Sequence, residues 1–122
     1  MTLRTIVVVE DDPIQRLDAA GMMEAAGLSV VAFADGDQAL DYIRQHREDV
    51  ASVFTDIGLA TDTGGLEIAR LVTDAFPGMV VIVTSGQFAE RPDDLDENVR
   101  FLAKPWLPLD VINAMIDATM DE

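Results

Sequence analysis

Thr5-Ile6-Val7-Val8-Val9-Glu10-Asp11-Asp12-Pro13 decides the fold. Five β-branched residues in a row make an apolar run of strand length. A strand with one wet face alternates polar and apolar residues; this one does not, so it reads as buried on both faces. It stops at three acids, and Pro13 suits the first turn of a helix running to about Ala26. Within that helix Ile14, Leu17, Met22 and Ala25 are expected to supply a buried stripe, and Gly27 to end it. A doubly buried strand, an acidic strand end and a helix are the opening of a βα unit.

The rest of the chain repeats the pattern. Ser29 to Phe33 reads as a second strand. Asp35-Gly36 turns the chain into a helix carrying Ala39, Leu40 and Ile43. Val50 to Thr55 is a third strand, ending at Asp56. A loop rich in Gly and Thr, Ile57 to Gly64, leads to a helix bearing Leu66, Ala69, Leu71 and Val72, closed by Pro77-Gly78. Met79 to Thr84 and Arg100 to Ala103 are the fourth and fifth strands. Leu107 to Met120 forms a terminal helix with a core stripe at Leu109, Ile112, Met115 and Ile116. Strands alternating with helices imply a parallel sheet covered on both faces.

Length and charge narrow the function. The chain has 122 residues, enough for one domain that buries roughly two-thirds of its unfolded surface. Its net charge of −15 repels phosphate backbones and anionic lipid, so neither direct nucleic-acid binding nor membrane attachment is expected. Cysteine is absent, which excludes thiol catalysis and disulfides and suits a cytoplasmic protein. No apolar run approaches the ~20 residues of a membrane span, and Met1 to Thr5 lacks a signal-peptide layout.

In open parallel sheets, ligands bind beyond the carboxyl ends of the strands. Read in order, those ends carry Glu10, Asp11 and Asp12, then Asp56, then Thr84 and Ser85, then Lys104-Pro105. Crowded carboxylates repel unless a cation sits among them, and oxygen donors of this kind suit a hard divalent ion such as magnesium, with manganese or calcium able to substitute. Lys104 is the only lysine among eight basic residues. It offers a compact charge for a phosphoryl oxygen or a carboxylate. Each feature has a plain structural counterpart: a solvated acidic loop, a surface lysine, a β-branched strand residue at Thr84. Their meeting at one sheet edge raises them above it.

Val-Val-Val-Glu-Asp-Asp-Pro at 7–13, Asp56 after the third strand, Val-Thr-Ser-Gly at 83–86 and Phe-Leu-Ala-Lys-Pro-Trp at 101–106 stand in the order of one known family. The chain resembles a response-regulator receiver domain, the phosphoacceptor module of two-component signalling, along essentially its whole length. The resemblance implies a flavodoxin-like doubly wound sheet of five parallel strands in the order 2-1-3-4-5. It implies a phosphorylation-activated switch of a phosphorelay, not an enzyme acting on other substrates. Asp56 would be the phosphoacceptor. Glu10, Asp11, Asp56 and the backbone carbonyl of Gly58 would hold magnesium. Lys104 and Thr84 would contact the phosphoryl group, and Thr84 with Phe101 would form the switch. The donor would be a histidine kinase or a histidine phosphotransfer protein, and an unidentified downstream protein would read the result. Residues 1–122 would be a receiver of the single-domain type, with no output domain.

Three features depart from the family pattern. Gln87 to Asn98 carries Pro92 and the acids Asp93, Asp94, Asp96 and Glu97 without a sustained apolar stripe, so the fourth helix is expected to be short or mobile. The loop after Asp56 lacks the usual proline, is about one residue longer, and ends in Gly64-Gly65. Gly58 and Gly86 stand where receivers often carry larger side chains. His46, the only histidine, reads as a solvated helix residue. Two rival readings remain: a phosphate-independent protein-binding module of the same fold, and a small magnesium-dependent phosphatase resembling the haloacid dehalogenases. The latter wants a second Asp two residues after the nucleophile, where this chain has Gly58.

Overall fold

The computed structural model describes residues 5–57, 64–85, 95, 99–103, 109, 110 and 113. Its elements run β1 (Thr5–Val9), α1 (Pro13–Ala25), β2 (Ser29–Phe33), α2 (Gly36–Gln45), β3 (Val50–Asp56), α3 (Gly65–Ala75), β4 (Val80–Ser85) and β5 (Arg100–Ala103). The strands form one sheet in the order β2-β1-β3-β4-β5, every pair parallel. The order expected from the sequence is the order observed. Leu109, Asp110 and Asn113 are helical, and Leu109 is 64% exposed rather than part of a core stripe. The remainder of the expected terminal helix, and all of segment 87–99 except Leu95 and Val99, lies outside the described residues.

The doubly buried reading of β1 follows from strand geometry. Successive side chains point to opposite faces. Val7 and Val9 join a core with Val53, Val81 and Val83, closed by Ala39, Leu40 and Ile43 of α2 and Ile68, Ala69 and Val72 of α3. Ile6 and Val8 join a second core with Phe54 and Ile82, closed by Ala19 and Met23 of α1. Both faces of β1, β3 and β4 are therefore dry, so their sequences need no polar alternation. Each wholly buried Ile or Val contributes roughly 1.5–3 kcal/mol.

Helix α1 turns differently from the expected stripe. Ile14 and Leu17 are 71% and 73% exposed, and Ala25 is exposed as well; Ala19 and Met23 face the sheet, with Met22 only part-buried. The helix start sets this phase. Asp12 is the N-cap, accepting from the amides of Ile14 (2.9 Å) and Gln15 (3.2 Å), which places residues 16, 19, 20 and 23 inward. At the other end Gly27 has φ 90°, its amide reaches Glu24 O, and Leu28 N reaches Met23 O. That paired closure needs a left-handed residue, which glycine adopts without cost to a Cβ.

Candidate functional site

The strand register sets the site at the carboxyl edge of the sheet. Val9 pairs with Thr55, so Glu10 leaves β1 beside Asp56, the last residue of β3. Asp56 in turn pairs with Thr84 of β4, and Thr84 with Leu102 of β5. Carboxylate oxygens of Glu10, Asp11 and Asp56 lie within 4.8 Å of one another. Asp12, adjacent in sequence, is spent on capping α1. The run of three acids thus divides into two site carboxylates and one structural cap.

Glu10 is only 5% exposed, and its main chain is held from two sides. Its amide donates to Phe33 O on β2 (3.0 Å), and its carbonyl accepts from Arg16 Nη1 (2.9 Å). Its carboxylate accepts from the amide of Asp12 (3.2 Å). A buried carboxylate is expensive unless such partners hold it. Arg16 was not among the site residues read from the sequence. The signal was present: it is one of only eight basic residues, six positions after Glu10 and inside the helix the acids introduce.

Asp56 sits half-buried at the strand end. The ladder continues one residue past it, because Ile57 N donates to Thr84 O (2.8 Å), while Thr55 Oγ1 donates to Asp56 O (3.3 Å). Thr84 and Ser85 are each 1% exposed. Phe101 pairs with Val83, one residue before Thr84, and packs part-buried on the α2/α3 core. Gly58 and Lys104, with Gly86 and Trp106, lie outside the described residues. His46 is far from this edge. It is the half-buried C-cap of α2, stacked on Tyr42 at 4.1 Å with Nδ1 3.0 Å from Tyr42 O, rather than a fully solvated side chain.

The donor set is all oxygen, anionic and convergent. It fits a hard divalent cation and would repel an anion left uncompensated. A family model, the response regulator receiver domain, matches residues 6–116. The chain belongs to that family. The match takes in every strand end described above. Among curated relatives, the response regulator receiver protein CpdR of Brucella abortus (strain 2308) is 30% identical over 114 residues, covering 91% of this receiver and 92% of that protein. The transcriptional regulatory protein PdtaR of Mycobacterium tuberculosis is 28% identical over 119 residues, covering 92% of this receiver and 55% of that protein. The sensor protein TorS of Escherichia coli (strain K12) matches at 29% over 77 residues, only 8% of its length. The receiver therefore corresponds to the whole of some relatives and to a small part of others. A receiver domain protein from Methanospirillum hungatei superposes with TM-score 0.84 over 98% of this chain and 96% of its own, at 23% identity; another from Clostridium thermocellum gives 0.83 over 96% and 94%, also at 23%. At that identity the likeness speaks for the fold. This is a receiver of the two-component kind, and among its described residues no helix is long and apolar enough to cross a membrane.

Proposed function

We propose that this receiver is a phosphorylation-operated switch that accepts a phosphoryl group on Asp56 from a histidine kinase or histidine phosphotransfer protein. The observation that carries the reading is the convergence of the Glu10, Asp11 and Asp56 carboxylates within 4.8 Å, beside Thr84 in register with Asp56. In the transfer, the N–P bond of the donor phosphohistidine breaks, the nitrogen keeps its electron pair, and a carboxylate oxygen of Asp56 forms the new O–P bond. Such transfers need positioning and charge neutralisation more than covalent help.

Glu10, Asp11 and Asp56, with the Gly58 carbonyl, would hold magnesium. The bound ion supplies positive charge against the phosphoryl oxygens and orients them. The residues do the rest. Arg16 and Phe33 O fix the backbone of Glu10. Lys104 would neutralise the phosphoryl group from the next strand end, and the Thr84 hydroxyl would donate to one of its oxygens. Drawing Thr84 toward that oxygen would free space behind it for Phe101 to fill, so one local charge event would bias a two-state element. A downstream protein would read the changed surface.

The test is intact mass after incubation with acetyl phosphate and magnesium. Wild type should gain one phosphoryl group and Asp56→Asn none. No adduct from this donor or from a panel of kinases would leave a phosphate-independent binding module, and turnover of a phosphomonoester would favour the phosphatase reading.

A further inference from the structure

Two glycines stand side by side at the start of α3, and their surroundings are opposite. Gly64 is the N-cap, in extended conformation, and a Cβ built on it meets nothing within 4 Å. Gly65 is buried in the first turn. A Cβ there would run into the carbonyl oxygen of Asp56 and stand 2.7 Å from both Asp56 C and Ile57 Cα. All three atoms are backbone, so no side-chain rotation relieves the overlap.

We propose that Gly65 is a positioning residue for Asp56: the missing side chain lets α3 rest directly on the main chain of the phosphoacceptor and fixes where its carboxylate stands. This rests on the reading of Asp56 given above. The contact is with the main chain of Asp56, whereas Asp56 joins Glu10 and Asp11 through its side-chain carboxylate. Carbon atoms pack at about 3.5–4.0 Å, so a methyl at 65 requires the main chain or the helix to retreat by about 1 Å. The displaced residues include Ile57, whose amide donates to Thr84 O, so the shift reaches the β4 side of the site as well. Gly65 touches no reacting atom; it acts through Asp56.

Four proteins test this: wild type, Gly64→Ala, Gly65→Ala and Val72→Ala. Val72 is fully buried in the core that α3 shares with the sheet, so its truncation loosens the helix packing but leaves the glycine at 65 that meets the Asp56 main chain. Magnesium affinity is measured by calorimetry, and phosphoryl uptake from acetyl phosphate by intact mass at saturating magnesium. Gly65→Ala should bind magnesium about tenfold more weakly and take up phosphoryl on the order of 10²-fold more slowly, as misplacement by ~1 Å does. Gly64→Ala and the folded fraction of Val72→Ala should stay within about twofold of wild type. Wild-type affinity and rate in Gly65→Ala would overturn the proposal, and so would an equal loss in Val72→Ala. If Gly65→Ala is unfolded in buffer, it is measured in trimethylamine oxide, which favours compact states; failure to fold there too would also overturn it, since the cost would then belong to the fold. A wild type that neither binds magnesium nor gains phosphoryl would instead sink the phosphoacceptor reading.

Discussion

At the carboxyl ends of β1 and β3, three carboxylates converge within 4.8 Å and one of them is almost wholly buried. At the amino end of β3, Arg44, Arg47, Glu48 and Asp49 spread charges of both signs into solvent, and the Asp41–Arg44 pair on α2 sits at 3.6 Å with both side chains more than half exposed. The same doubly covered strands span both edges. The amino edge obeys ordinary surface rules, where exposed pairs are screened and worth little. The carboxyl edge breaks them, keeping like charges together against their repulsion. Places where a fold breaks local rules are expected to be functional. Stability should therefore live in the two cores and the caps, and chemistry at the carboxyl edge.

Substitutions can break that division. The largest stability effect belongs between the edges. Met23→Ala removes a fully buried side chain from the core under α1 and should cost about 2–5 kcal/mol by denaturant unfolding. Its folded fraction should still take up phosphoryl at the wild-type rate. The adjacent acids offer a finer cut. Asp12→Ala should cost about 1 kcal/mol through its lost cap and leave magnesium affinity near wild type. Asp11→Ala should do the reverse, weakening magnesium in calorimetry at least tenfold and leaving metal-free stability unchanged or slightly higher, because one repelling charge is gone. If the two variants behaved alike, the division of the acidic run into cap and site would be wrong. The smallest effect is expected at the amino edge. Arg44→Ala should change stability by less than about 0.5 kcal/mol, falling further with salt, and leave uptake untouched.

The same contrast explains what was legible in the sequence. Strands β1, β3 and β4 announce themselves because burial on both faces demands apolar residues at every position, and the residue that breaks such a run marks the edge where ligands bind. A parallel sheet and the acids at its edge could be placed on that basis, while the strand order comes from the family resemblance. The phase of α1 could not. Its most hydrophobic side chains, Ile14 and Leu17, are exposed, while Met23 and small Ala19 face the sheet; hydrophobicity alone selects the wrong side. Composition and spacing alone do not separate Asp11 from Asp12, since capping depends on backbone angles, and there the family resemblance makes the choice; nothing in the sequence separates Gly64 from Gly65, since only the approach of α3 to Asp56 distinguishes them. The position of Arg16, six residues after Glu10, hints at a link to the acids, but its partner is a main-chain carbonyl, which the sequence does not display.

If chemistry resides at the carboxyl edge, Asp56 is its acceptor. Reductive trapping tests it most directly. The protein is incubated with acetyl phosphate and magnesium, treated with borohydride, which reduces an aspartyl phosphate to homoserine, and mapped by tandem mass spectrometry. Homoserine at position 56 alone, and only when donor and magnesium are both present, is the predicted result. Homoserine at another acid, at Asp11 or Asp12 above all, or none anywhere while the protein remains folded, would contradict it.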